Sequence, residues 1–255
     1  MGKIRDRPNY SIKAIVADCE AAFGCKIGRK KASDGKRVAM NHVYGDWETN
    51  FRQLPGYMRA LQNCHDRTAV QWKFKKEDGI VHSGRKIFRY VFWHFGAMRT
   101  TFLHSHPVVT VDATHLRGAY KGKAIVAVVK TANDRVVPVP ATAKLDTKFP
   151  NWGVHRYCME HIRANFLSSV PKKKGLYALS WTVGTELDEA KYAHAWADLT
   201  ESSQAAARYL QRIPLEKWTL ILDGFHRWGT TTSNDVESYN NVLRGDRFLP
   251  IRAFI

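Results

Sequence analysis

Three apolar runs follow one another so closely in the middle of this chain that they constrain the fold more than any other feature. Residues 108–112, 123–130 and 136–141 carry the β-branched content of strands, and residues 118–122 and Asn133-Asp134 punctuate them as turns. Strands linked this tightly form an antiparallel meander. On this spacing Asp112 ends the first run, Val108-Val109-Thr110-Val111-Asp112, and the polar His115-Leu116-Arg117-Gly118 that follows reads as its exit turn. An aspartate there can project from the core edge to where a hard cation reaches it. It can also cap a turn, the commoner role for such an Asp taken alone.

Either side of the meander the periodicity is different. Over residues 10–23 the apolar positions Ile12, Ile15, Val16, Cys19, Ala22 and Phe23 recur at helical spacing, with Gly24 as the stop. Met40, Val43 and Tyr44 form a second apolar stripe that leads to Gly45-Asp46. After Leu54-Pro55-Gly56 a short helix over 57–61 is expected, then paired strands at 69–74 and 87–95 with a loop around Gly79 and Gly84. Beyond Pro150 the pattern is helical, with helices expected at 154–170, 186–212 and 234–244. The class is therefore mixed α/β (α+β). Three units are expected: an amino-terminal mixed unit at 1–106, the strands at 107–153, and a helical region at 154–255. A chain of 255 residues buries one or two cores without needing disulfides or metal clips.

Charge narrows the partners. Forty Lys and Arg against 23 Asp and Glu leave a net charge of +17. Such a surplus favours a polyanion, because each phosphate neutralised releases condensed counterions, and nucleic acid is the first candidate. Lys26, Arg29, Lys30, Lys31, Lys36 and Arg37 form one cluster, interrupted by the single acid Asp34; Lys172, Lys173 and Lys174 form another. Both are candidate phosphate contacts, and a solvated helix face explains the first cluster equally well. The four cysteines, Cys19, Cys25, Cys64 and Cys158, contain no C-x-x-C pair, which suits a reducing compartment such as cytosol or nucleus. No signal peptide is read. The longest apolar stretch, residues 124–129, is too short to span a bilayer, so no membrane partner is expected.

Three further segments stand in a telling order: Asp112 with its Asp-x-Thr-His-Leu context; His155-Arg156-Tyr157-Cys158-Met159-Glu160-His161; and Thr231-Thr232-Ser233-Asn234-Asp235-Val236-Glu237-Ser238-Tyr239-Asn240. With Gly45-Asp46, Leu54-Pro55-Gly56-Tyr57, Tyr120-Lys121-Gly122 and Arg227-Trp228-Gly229, that order resembles the transposases of plant Mutator-like elements over nearly the whole chain. The resemblance implies a ribonuclease-H-like core with a helical insertion and a triad of acids. Asp112 matches the first acid and Glu237 the last, as Mg²⁺ ligands for DNA cleavage and strand transfer in the nucleus. Two hard ions clamp the attacking and leaving oxygens in such chemistry, and carboxylates are the ligands Mg²⁺ prefers. Asn234-x-x-Glu237 is also the spacing of a capping box.

The second acid of the family, in a Ser-Asp-Arg context, has no counterpart here. Asp146-Thr147-Lys148-Phe149-Pro150 runs almost directly into Asn151-Trp152-Gly153-Val154-His155. The expected core is thus partial, lacking a helix and a strand beside Asp112, with an apolar edge and face left open. The expected protein is an internally deleted, truncated transposase derivative that binds DNA but has lost cleavage. Alternatives are a retained DNA-binding or transcription-regulatory protein, or a gene-model fragment without function. Glu160 and Asp223 are the acids in reach as substitute ligands, although no spacing points to either. Cys158-x-x-His161 has ligand spacing and lies near the family's active site. Two ligands do not make a structural zinc site, which wants four, so zinc is not expected. A homo-oligomer is left open.

Overall fold

A computed structural model of the protein describes residues 2–74, 87–139, 153–171 and 173–255. The expected turns at Gly79 and Gly84, Lys172, Asp146 and the whole 140–152 junction lie outside those residues.

The fold is mixed α/β, with helices gathered around two small antiparallel sheets. Helix α1 (Gly2–Asp6) leads to α2 (Ile12–Phe23), which begins where the Ser11 side chain accepts from the Ala14 amide at 3.1 Å. It ends at Gly24 in the left-handed region, φ 65°, as the apolar spacing requires. Helix α3 (Arg29–Tyr44) packs on α2, and Lys36 fastens the pair by donating to the Tyr10 carbonyl at 2.8 Å.

Helix α4 (Trp47–Cys64) corrects the short helix expected after Pro55. It starts at Trp47 behind the Asp46 cap, ten residues earlier than expected, and runs through the proline. Pro55 has no N–H to give the Phe51 carbonyl, yet Leu54 and Met58 on the buried side hold the helix together. Strands β1 (Ala69–Phe74) and β2 (Phe88–His94) pair antiparallel, Ala69 opposite His94, close to the expected bounds. Helix α5 (Gly96–Leu103) follows.

The meander is β3 (Thr110–His115), β4 (Lys123–Lys130) and β5 (Val136–Pro138) in the order β3-β4-β5. The exit turn expected after Asp112 is corrected, because the strand continues three residues further. Asp112 lies mid-strand opposite Val126, not at a strand end. Alternation then sorts the side chains. Thr110, Asp112 and Thr114 face one side with Val126, Val128 and Lys130; Val111 and Ala113 face the other with Ile125, Ala127 and Val129. Among the described residues the second side is covered at one end, where Phe102 of α5 packs on Ala127 and Val129. At the other end Val111 is 50% and Ile125 74% exposed. Among the described residues no strand pairs with the outer edge of β3.

The carboxyl-terminal helices are α6 (Met159–Ser169), α7 (Leu176–Thr185), α8 (Glu189–Ser202), α9 (Gln204–Gln211), α10 (Asn234–Val242) and α11 (Ile251–Phe254). Two expectations change here. The helix expected at 154–170 starts only at Met159, because the Tyr157 amide is drawn to the Lys217 carbonyl at 2.8 Å and keeps that segment extended. The long helix expected at 186–212 is two, broken at Ser203, whose side chain accepts from the Ala206 amide and caps α9. Met159, Phe166, Leu176, Val183, Leu199, Leu210 and Trp218 form the core of this region. Gly184 lets Met159 approach, its missing Cβ leaving room for the Met159 methyl.

Candidate functional site

The face of the meander that carries Asp112 is the one α10 covers. Three side-chain contacts pin that helix and the turn after it to the sheet. Lys130 Nζ lies 3.6 Å from Asp235 Oδ1; Asn240 Nδ2 donates to Asp112 Oδ2 at 3.2 Å; Arg247 Nη1 donates to Thr114 Oγ1 at 2.5 Å. Val236 and Asn240, one helical turn apart, are the residues α10 buries. Glu237 is one step round the helix from Val236, so it lies exposed at the rim.

Helix α6 approaches the same face. His161 Nε2 is 3.9 Å from Asp112 Oδ1, with the aspartate side chain 23% exposed and the histidine 55%. The segment before α6 is held by a buried knot of charge. Asp223, 2% exposed, accepts from Arg156 Nε at 2.7 Å and from the Arg227 amide at 2.7 Å. Arg227 Nη2 in turn donates to the carbonyls of Tyr157 at 2.9 Å and Lys217 at 2.7 Å. Burial lowers the Arg227 guanidinium from its ordinary value, and the Asp223 charge opposes that shift. The knot, together with the Met159 amide on the Thr231 carbonyl at 2.9 Å, fixes where α6 starts.

Cys158 is the residue before α6, and its Sγ lies 3.2 Å from Ser233 Oγ. That hydroxyl donates to Glu237 Oε1 at 2.8 Å. The capping box is therefore not formed: Asn234 is already inside the helix, and no side-chain hydrogen bond caps it at Ser233. Cys158 and His161 also part company, one facing Ser233 and the other Asp112, which gives no pair of ligands for zinc. Asp223 is committed to two arginines. Glu160 is committed to Arg163 at 2.9 Å and to the Tyr177 hydroxyl, so neither acid joins Asp112.

The site thus brings together Asp112, His161 and Asn240, while Ser233 and Glu237 pair with each other. Among the described residues no group of three or more His, Cys, Asp or Glu could hold a metal ion. A two-ion Mg²⁺ clamp does not fit these donors. One oxygen of Asp112 is taken by an amide, its other neighbour is an imidazole, and the Glu237 carboxylate is held by a hydroxyl. Sequence reasoning missed Asn240 and Ser233. The i, i+4 spacing of Val236 and Asn240 was the signal that Asn240 faces inward.

Of the basic residues, Lys26, Arg29, Lys30, Lys31 and Lys174 are exposed, and the first turn of α3 contains no acid. Arg37 pairs with Asp34 at 3.2 Å, and Lys173 donates to the Ser202 carbonyl at 2.6 Å. Lys36 is turned inward against Tyr10 and the Phe248 ring, and burial lowers its ammonium. Among the described residues no helix is long and apolar enough to cross a membrane. No family model, no curated protein and no solved structure matches the chain.

Proposed function

We propose that the protein is a derivative of a Mutator-like transposase that binds DNA in the nucleus without cleaving it. The observation that carries this reading is the meeting of Asp112 with α10 across 128 positions of sequence, in a site whose carboxylates do not converge. A meander crossed by a helix bearing the last acid is what a partial ribonuclease-H-like core would retain. The net charge of +17 and the exposed run at the start of α3 supply the attraction for phosphates.

Fluorescence anisotropy on a labelled duplex at rising salt tests the binding half of this reading. Affinity should fall linearly on a log–log plot, with a slope of about 0.9 per phosphate neutralised. Replacing Arg29, Lys30 and Lys31 together by Ala should lower that slope by roughly 3 and weaken every sequence alike. Binding that ignores salt, or no binding at low salt, would contradict it.

A further inference from the structure

The turn over residues 224–229 displays two large rings that the fold leaves outside its core. Phe225 is 87% exposed and Trp228 68%. Both have the left-handed backbone, φ 63° and 48°, between Gly224 and Gly229 at φ 63° and 79°. For residues of this bulk that conformation is an outlier, kept only where the surroundings over-determine it. Here the surroundings are the knot of charge beneath. Asp223 Oδ2 accepts from the Arg227 amide at 2.7 Å, and Arg227 Nη2 donates to the Tyr157 and Lys217 carbonyls. The turn is thus fixed by a buried arginine that stands between two rings left in solvent. The same bonds bring Tyr157 alongside, itself exposed and edge-on to the His155 ring at 5.1 Å. Charge behind the rings is positive: the acid beside the turn, Asp223, is buried against Arg156 and Arg227, and Lys217 Nζ donates to the His155 carbonyl at 3.2 Å.

We infer that Phe225 and Trp228 are stacking platforms for the unpaired bases of single-stranded DNA. Every base has a π-face, so such platforms accept any sequence, and cations close by take the phosphates. A lipid or apolar protein partner would instead bury those cations without a counter-charge. The inference rests on the DNA-binding reading above and deepens it: the α3 cations meet phosphates, whereas these rings tell unpaired bases from paired ones.

The probes are a fluorescein-labelled oligothymidylate, an abasic strand of equal length and a duplex, each titrated with the full chain by anisotropy at low salt. The abasic strand has the same phosphates and no bases. The wild type should bind oligothymidylate about tenfold or more tighter than the abasic strand. Phe225→Ala and Trp228→Ala should each weaken oligothymidylate about fivefold or more and leave the abasic strand unchanged, whereas Trp228→Phe, which keeps a ring, should retain most of the affinity. Neither ring is buried, so both Ala variants should melt with the wild type. Equal affinity for strands with and without bases, or Ala variants that bind oligothymidylate as the wild type does, would overturn the assignment. A lowered melt in both Ala variants would give the rings to the fold and overturn it too. So would binding to phosphatidylserine vesicles that the same variants lose, which would give the rings to a lipid surface. Duplex binding with no preference for bases sinks this inference alone. No binding to any probe sinks the proposed function with it.

Discussion

Asp223 is the residue on which the placement of the site turns. It holds the buried Arg227 and the partly buried Arg156, and through them the extended segment that delivers Cys158 and α6. Asp223→Asn should cost about 3 to 5 kcal/mol in a urea titration, because it strands buried charge. A loss below about 1 kcal/mol would mean that the knot is not what anchors α6. Asp112 was legible in the sequence from its apolar run, and its partners were not. Asn240 and His161 reach it from 128 and 49 positions away, and only the sheet's alternation decides which face of β3 they meet. Glu237 drew notice because an acid at a helix start is conspicuous, yet 3.6 residues per turn puts Asn240, not Glu237, under the helix with Val236.

Elements were easier to read than their ends. The α2 stripe with Gly24, the β1 and β2 hairpin and the meander follow from local periodicity, which the structure keeps. Where expectation failed, a few side chains with distant or backbone partners decided the outcome: Pro55 lies inside α4, and Ser203 divides α8 from α9. Pro55→Ala, at an exposed position, should restore the missing helical hydrogen bond and stabilise the chain by up to about 3 kcal/mol. Unchanged or lower stability on denaturation would show that the helix is adapted to the proline. At the start of α4 the Thr49 amide holds the Asp46 carboxyl below its ordinary value. Stability from that cap is present above the unfolded carboxylate's pKa and is lost as pH falls through the lower, folded one. Denaturation curves of wild type and Asp46→Ala should therefore differ at neutral pH and converge in strong acid. A gap that persists at about pH 2 would contradict the cap.

At the scale of the whole molecule, the amino-terminal helices and the meander meet where Gly118 admits the Trp47 ring, which also lies edge-on to Tyr120 at 6.0 Å. A Cβ on Gly118 would fall 1.7 Å from Trp47 Cη2, so Gly118→Ala should cost about 1 to 3 kcal/mol and increase proteolysis between the two regions. At the open end of the sheet Val111 and Ile125 are exposed. The function proposed above is DNA binding without cleavage. Incubation with supercoiled plasmid and either Mg²⁺ or Mn²⁺, resolved on one gel, tests this most directly. The expected lane shows plasmid retarded at low salt, released at high salt, and still supercoiled. Nicked circles that vanish with Asp112→Ala would contradict it.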